Sequence, residues 1–249
     1  SLVHDDIMDA APLRRGHPTV HTKWNLNTGI LSGDTMLILA YQYFEQYEPN
    51  IFQELAKIFS KTAIEVCEGQ QYDVDFEQQA QVSTDQYLKM IAYKTAVLVG
   101  AALQMGAIIA QTTEENKQKI YDFGLALGIA YQLQDDYLDT FGDASFGKKI
   151  GGDILQNKKT LLYLKALEKG TAEQKQELYA LYTTEPKNED EKISRVTELF
   201  IATQSHTYLR ERVEAYTMEA FAILDTLDIP QEKKDILKEF GRSLMNRTI

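Results

Sequence analysis

The chain has 249 residues, a formal net charge of −11 and a sequence pI near 4.9. That acidity argues against a general nucleic-acid or anionic-membrane surface, which needs a basic patch, so an anionic substrate would have to be met by local cations. Cys67 is the one cysteine, which leaves no intramolecular disulfide; it reads as a core residue of a cytoplasmic protein.

In chain order, residues 1–3 (SLV) show no capping pattern and read as the middle of a helix, so a preceding segment is expected. The stretch DDIMD follows, with Asp5 and Asp9 one helical turn apart and Asp6 beside them, and then two cations, Arg14 and Arg15. Breaks fall at Arg15-Gly16-His17-Pro18 and Glu48-Pro49-Asn50, and Ser83-Thr84-Asp85 reads as a helix start. Prolines stand only at 12, 18, 49, 186 and 230, so nothing forces a break between Pro49 and Pro186. The apolar run 96–110 (AVLVGAALQMGAIIA) is shorter than the roughly 20 residues of a membrane span and reads as a buried core helix. Trp24 reads as a packing residue.

Residues 131–160, YQLQDDYLDTFGDASFGKKIGGDILQNKKT, carry a second acidic triad, Asp135, Asp136 and Asp139, at the end of a mostly apolar helix. A glycine-rich turn with lysines comes next. Beyond it, Ile193, Val196, Phe200 and Thr203, then Val213, Tyr216, Ala220, Ile223 and Leu227, recur at the three and four spacing of amphipathic helices. Few runs alternate as strands do. The expectation is an all-α bundle with a few long central helices, forming a single domain over 1–249.

One DDxxD stretch is weak evidence, since acidic clusters on helices are commonly just solvated. Two copies, each followed by cations, are stronger. If both triads face one cavity, six carboxylates share a small volume and repel by several kcal/mol, so cations must bind or some groups must protonate. All-oxygen ligation suits a hard divalent ion, and Mg²⁺ typically uses one or two carboxylates plus waters and substrate phosphates. A phosphorylated substrate follows. A di-iron bundle would need Glu-x-x-His pairs, and none occurs; His4, beside Asp5, is a candidate to support that carboxylate, while His17, His21 and His206 read as surface or structural residues. No GxxxxGK[ST] loop supports nucleotide hydrolysis.

LVHDDIMDAAPLRRG resembles the first aspartate-rich motif of the trans-isoprenyl diphosphate synthases, also called polyprenyl synthetases, and YQLQDDYLDTFGD with FGKKIGGDILQNKKT resembles the second. The recognisable motifs extend from residue 1 to about residue 160. The resemblance implies an isoprenoid-synthase helical bundle around a central cavity, a homodimer, and head-to-tail condensation of isopentenyl diphosphate with an allylic diphosphate (dimethylallyl, geranyl or farnesyl). It implies three Mg²⁺ ions per site, with Asp5, Asp9 and Asp135 as principal ligands and Asp6, Asp136 and Asp139 in support. Arg14 resembles the arginine on the allylic diphosphate and Arg15 the one on isopentenyl diphosphate. Lys94-Thr95 resembles a Lys-Thr pair at a break in a central helix, with the lysine on the allylic diphosphate. By spacing alone Lys148, Lys149, Lys158 and Lys159 cannot be ranked; the resemblance favours Lys149 and Lys158. Tyr131 and Gln132 resemble residues beside the isopentenyl group, and Gln70 and Asp73, in GQQYD, resemble polar residues facing the pocket.

The family's upstream Gly-Lys-Arg-Pro-like element does not occur in these residues, and the wall that sets product length is represented only by Ser1. A short product of fifteen or twenty carbons is expected. The alternatives are a class I terpene cyclase and a non-catalytic regulatory subunit of a heteromeric synthase. DDYLD at 135–139 lacks the Asn/Asp-Ser/Thr-Glu pattern of a cyclase, and intact triads with their cations disfavour a regulatory subunit.

Overall fold

The computed structural model describes residues 1–142, 150–186 and 188–245. The chain opens with α1 (Leu2–Met8), β1 (Leu13–Arg14), β2 (His17–Pro18), α2 (Val20–Lys23), α3 (Leu26–Gln42) and α4 (Pro49–Gln78). Then come α5 (Thr84–Ile91), a π-helical turn (Ala92–Ala96), α6 (Val97–Ile109), α7 (Glu114–Phe141) and the short α8 (Gly152–Leu155). The remainder is α9 (Leu161–Lys169), α10 (Ala172–Thr183), α11 (Glu189–Ala202), α12 (Ser205–Asp225) and α13 (Gln231–Met245). The all-α expectation holds; among the described residues the only strand pairing is the two-residue hairpin β1–β2, turned by Arg15 and Gly16, both at positive φ.

Side chains that accept the free amides of a first turn set the helix starts. Asn25, Thr113 and Thr171 cap α3, α7 and α10, and Ser83 with Gln86 forms a reciprocal capping box on α5. Pro49 opens α4, where its missing N–H costs nothing.

α7 is the axis of the molecule. Its Phe123, Leu127, Ala130 and Leu133 are wholly buried, between α6 on one side and α12 on the other. The largest apolar cluster joins Tyr87 of α5 and Leu133 to Leu161, Leu162, Phe200 and Leu209. A second, around Ile120, Phe123, Ala220 and Leu224, ties α7 to α12 and receives α13.

The π turn lies between α4 and α7, held there by two glycines. A Cβ on Gly69 would stand 2.2 Å from the Lys94 backbone nitrogen, and one on Gly128 2.6 Å from Ala96 Cα. Only glycine lets both helices approach so closely. The wider turn rotates Lys94 and Thr95 away from the register of a regular α-helix, a device found often at functional sites.

Three expectations are corrected. The helix containing 96–110 begins at Thr84, and the run Thr84–Ile109 is long and apolar enough to cross a membrane by length and composition. It nevertheless packs against α4 and α7 and carries an ion-paired lysine, as a core helix of the bundle would. Its α6 part is buried on one side only, through Val97, Gly100, Ala101 and Ile108, while Leu98 and Ile109 are exposed. Cys67 is exposed, because α4 buries the line Leu55, Thr62, Gly69, Phe76 and Cys67 stands two residues, about 200°, from it. Trp24 is exposed too, its ring under the Lys23 ammonium at 4.6 Å.

Candidate active site

The first acidic wall is α1. Asp6 is buried, and the β1–β2 hairpin folds Arg14 back so that its Nε donates to Asp6 at 2.7 Å and its Nη2 to Asp5 at 3.2 Å. Arg14 is therefore tied to the triad itself. Arg15, at the tip of the turn, is exposed and makes no ion pair among the described residues. His4 does not support Asp5: its Nε2 lies 3.0 Å from the Ile30 carbonyl and 3.6 Å from Asp34, joining α1 to α3.

The π turn brings Lys94 to the same place. Its Nζ is 2.6 Å from Asp73 of α4 and 3.7 Å from Asp5, while Lys158 Nζ is 3.7 Å from Asp73. Burial pushes the Asp73 carboxyl up, but the ammonium groups of Lys158 and Lys94 outweigh it and hold the group below its ordinary range. Asp9, at the rim, is pushed up by desolvation; Asp5 and Asp73 add to the rise, and Lys158 and Lys94 oppose it. Burial alone would lower Lys158, yet Asp73, Asp9, Asp153 and Asp5 together raise it. That one ammonium thus faces carboxylates from both ends of the site.

The second wall is the end of α7. Asp136 is buried and accepts hydrogen bonds from the Tyr87 hydroxyl on one oxygen and from Gln132 Nε2, at 2.9 Å, on the other. Burial nonetheless pushes it up to about 7. Asp139, also buried, accepts from the Asp153 amide at 3.0 Å. Desolvation, reinforced by Asp136 and Asp139, pushes Asp153 well above the carboxylate range. Asp135, half-buried, and Tyr131, on the preceding turn, occupy the same helix end. Thr95 Oγ1 donates to Gln132 Oε1 at 2.9 Å, linking the π turn to this wall.

Gln70 is buried next to Gly69, and its Nε2 meets no protein partner among the described residues. Lys159 donates to the carbonyls of Phe76 and Glu77 at the end of α4, so Lys158 is the lysine turned to the carboxylates. Lys149 lies outside the described residues. Tyr87 and Asp153 were missed by the sequence reading. Asp153 directly follows Gly151-Gly152, a spacing that was legible, whereas Tyr87 stands on α5 apart from either motif and carried no signal.

Among the described residues no three His, Cys, Asp or Glu side chains converge as a metal cluster. The six carboxylates do not crowd one point, because Asp6 turns to Arg14 and Asp136 to Tyr87 and Gln132. Asp5, Asp9, Asp135 and Asp139 remain, all-oxygen donors of a kind that fits Mg²⁺ completed by water and phosphate oxygens.

A family model described as Polyprenyl synthetase matches residues 1–200. The geranylfarnesyl diphosphate synthase of Natronomonas pharaonis is 34% identical over 100% of this chain and 71% of its own. A solved geranylgeranyl pyrophosphate synthase is 50% identical, with a TM-score of 0.95 over 99% of this chain and 76% of that one. A Corynebacterium glutamicum geranylgeranyl pyrophosphate synthase, complexed with isoprenyl diphosphate and magnesium, is 29% identical with a TM-score of 0.88, covering 99% of this chain and 75% of its own. A helical bundle that matches the polyprenyl synthetase model and the isoprenyl diphosphate synthases above defines a trans-prenyltransferase. The chain belongs to the polyprenyl synthetase family, as a short-chain isoprenyl diphosphate synthase.

Proposed function

We propose that this site condenses isopentenyl diphosphate head-to-tail with an allylic diphosphate, giving a product of fifteen or twenty carbons. The observation that carries the reading is the facing of the two walls across Lys94, Asp73 and Lys158. Asp5, Asp9 and Asp135 would hold Mg²⁺, three ions with diphosphate bound, with Asp6, Asp136 and Asp139 supporting. Bound magnesium supplies Lewis-acid stabilisation of the charge that develops on the departing diphosphate.

The chain's own residues do the rest. Lys94 and Lys158, prepaired with Asp73, present ammonium groups to the allylic diphosphate oxygens as the allylic C–O bond breaks, and Lys149 and Arg14 add to that charge. Arg15, exposed at its turn, and Gln70 meet the second substrate. Thr95 faces the carbon that becomes cationic, and Gln132, bonded to Thr95, stands with Tyr131 beside the isopentenyl group whose double bond attacks that carbon. Apolar helix faces keep water from that cation until the proton is lost.

The match through residue 200, together with the packing of α12 on α7, supports one domain over 1–249. Leu31, Met36 and Ile38 of α3 and Leu98 of α6, apolar and exposed, support a homodimer, which sedimentation would test. Acidity and a single cysteine support a cytoplasmic enzyme.

Incubation of the natural full-length protein with Mg²⁺, isopentenyl diphosphate and dimethylallyl, geranyl or farnesyl diphosphate, followed by product sizing, tests the reading. A C15 or C20 product is expected. Absence of elongation from every primer overturns the function, and a product of twenty-five carbons or more overturns the length alone.

A further inference from the structure

Tyr87 is 1% exposed, lies on α5 outside both aspartate motifs, and donates its hydroxyl to Asp136. From there a single chain of hydrogen bonds runs to the π turn: Gln132 Nε2 to the other Asp136 oxygen at 2.9 Å, and Thr95 Oγ1 to Gln132 Oε1 at 2.9 Å. We infer that Tyr87 and Asp136 are positioning residues, which fix the amide of Gln132 and through it the direction of the Thr95 hydroxyl.

The direction follows from donor and acceptor chemistry. Asp136 takes the Tyr87 hydroxyl on one oxygen and the Gln132 amide on the other, and the edge of Gln132 that meets it is its NH₂. Its carbonyl oxygen must then face Thr95, whose hydroxyl proton is drawn to it. With that proton committed, Thr95 Oγ1 has only lone pairs left to offer the cleft. The negative end of a fixed dipole is thereby aimed where an allylic carbon becomes cationic. Without that partner fixed behind it, Gln132 could turn its amide over and Thr95 could reverse its hydroxyl, and the preorganisation would be lost. Tyr87 is what holds Asp136 in place, since a buried carboxyl with one donor removed is left with an unsatisfied oxygen and has reason to shift. The inference also gives Asp136 a role distinct from its neighbour Asp135 and explains why a motif aspartate points into the core.

The inference rests on the reading of Thr95 as facing the reacting carbon, and the test separates the two. Steady-state kinetics would be measured for Tyr87→Phe, Thr95→Ala and the double variant, with both substrates varied. Tyr87→Phe keeps the ring in the core and should lower kcat by about tenfold to a hundredfold, with both KM values within twofold, because orientation rather than binding is lost. In the Thr95→Ala background the same change should cost under threefold, since the chain has already lost its far end. Wild-type turnover for Tyr87→Phe, or an equal fold-loss in both backgrounds, overturns the inference. Wild-type turnover for Thr95→Ala overturns the site reading instead. Should Tyr87→Phe not fold, Asp136→Asn serves, because an amide there lets Gln132 turn over: loss that vanishes in the Thr95→Ala background supports the inference, and additive loss overturns it.

Discussion

The two acidic walls share the pattern DDxxD, but among the described residues the buried second aspartate of each, Asp6 and Asp136, is met in an opposite way. On α1 the carboxylates meet the chain's own cations, Arg14 on Asp6 and Asp5, and Lys94 near Asp5. On α7 the partners of Asp136 are neutral donors, Tyr87 and Gln132, and burial drives its proton affinity up. The first wall is thus a charged lattice at a rim that an incoming diphosphate can share. The second is a hydrogen-bonded frame around the buried Asp136 and Asp139, with Asp135 half-buried beside them. One five-residue pattern specifies positions on a helix, and the elements packed against it decide what each position does.

The largest effect that would sharpen this contrast is expected at Asp135. Asp135→Ala should lower kcat/KM on the order of a thousandfold, as the loss of a charge-stabilising element does. Far-ultraviolet circular dichroism should stay unchanged. Asp6→Ala, which removes a partner of Arg14 instead, should cost less turnover. The reverse order would erase the distinction between outward ligands and inward supports.

Next comes the lysine pair that follows the second wall. Lys158→Ala removes an ammonium facing Asp73, Asp9 and Asp153, and should lower kcat/KM for the allylic diphosphate by about a hundredfold. Lys159→Ala removes donors to the carbonyls that end α4, and should cost about 1 kcal/mol of stability with activity retained. Equal kinetic effects from the two would show that the site draws on both lysines.

These adjacent lysines mark how far the sequence could be read. Helical periodicity located α7, α11 and α12, and the recurrence of DDxxD located both walls. Spacing could not separate Lys158 from Lys159, because direction is decided by the turn after Gly151, at φ 81°, and by the end of α4, which lies more than 80 residues earlier. Arg14 was legible as a cation near the first triad, but its back-folding onto Asp6 depends on the hairpin at Arg15 and Gly16. The exposure of Cys67 and of half of α6 was hidden for a different reason. An apolar run fixes that a helix is apolar, not which of its sides has a neighbour.

The smallest expected effect concerns Asp73, which lies between the walls and is held in its ionised form by Lys94 and Lys158. Its folded-state pKa is depressed, so its contribution to stability is fully present above the unfolded value near 4 and is lost as pH falls through the folded value. Asp73→Asn should therefore be less stable than the parent by about 1 kcal/mol at pH 6, since two partly buried ammonium groups lose a counter-charge. Other carboxylates titrate in the same range, so the informative quantity is the difference between the two proteins, measured by urea unfolding with a chelator present. That difference should be constant from pH 7 to about 5 and shrink as the pH falls below the ordinary carboxylate range and the parent's carboxyl takes up its proton. A difference that instead grew on acidification would mean that desolvation outweighs the two lysines at Asp73. The bridge between the walls would then be held by hydrogen bonding rather than by charge.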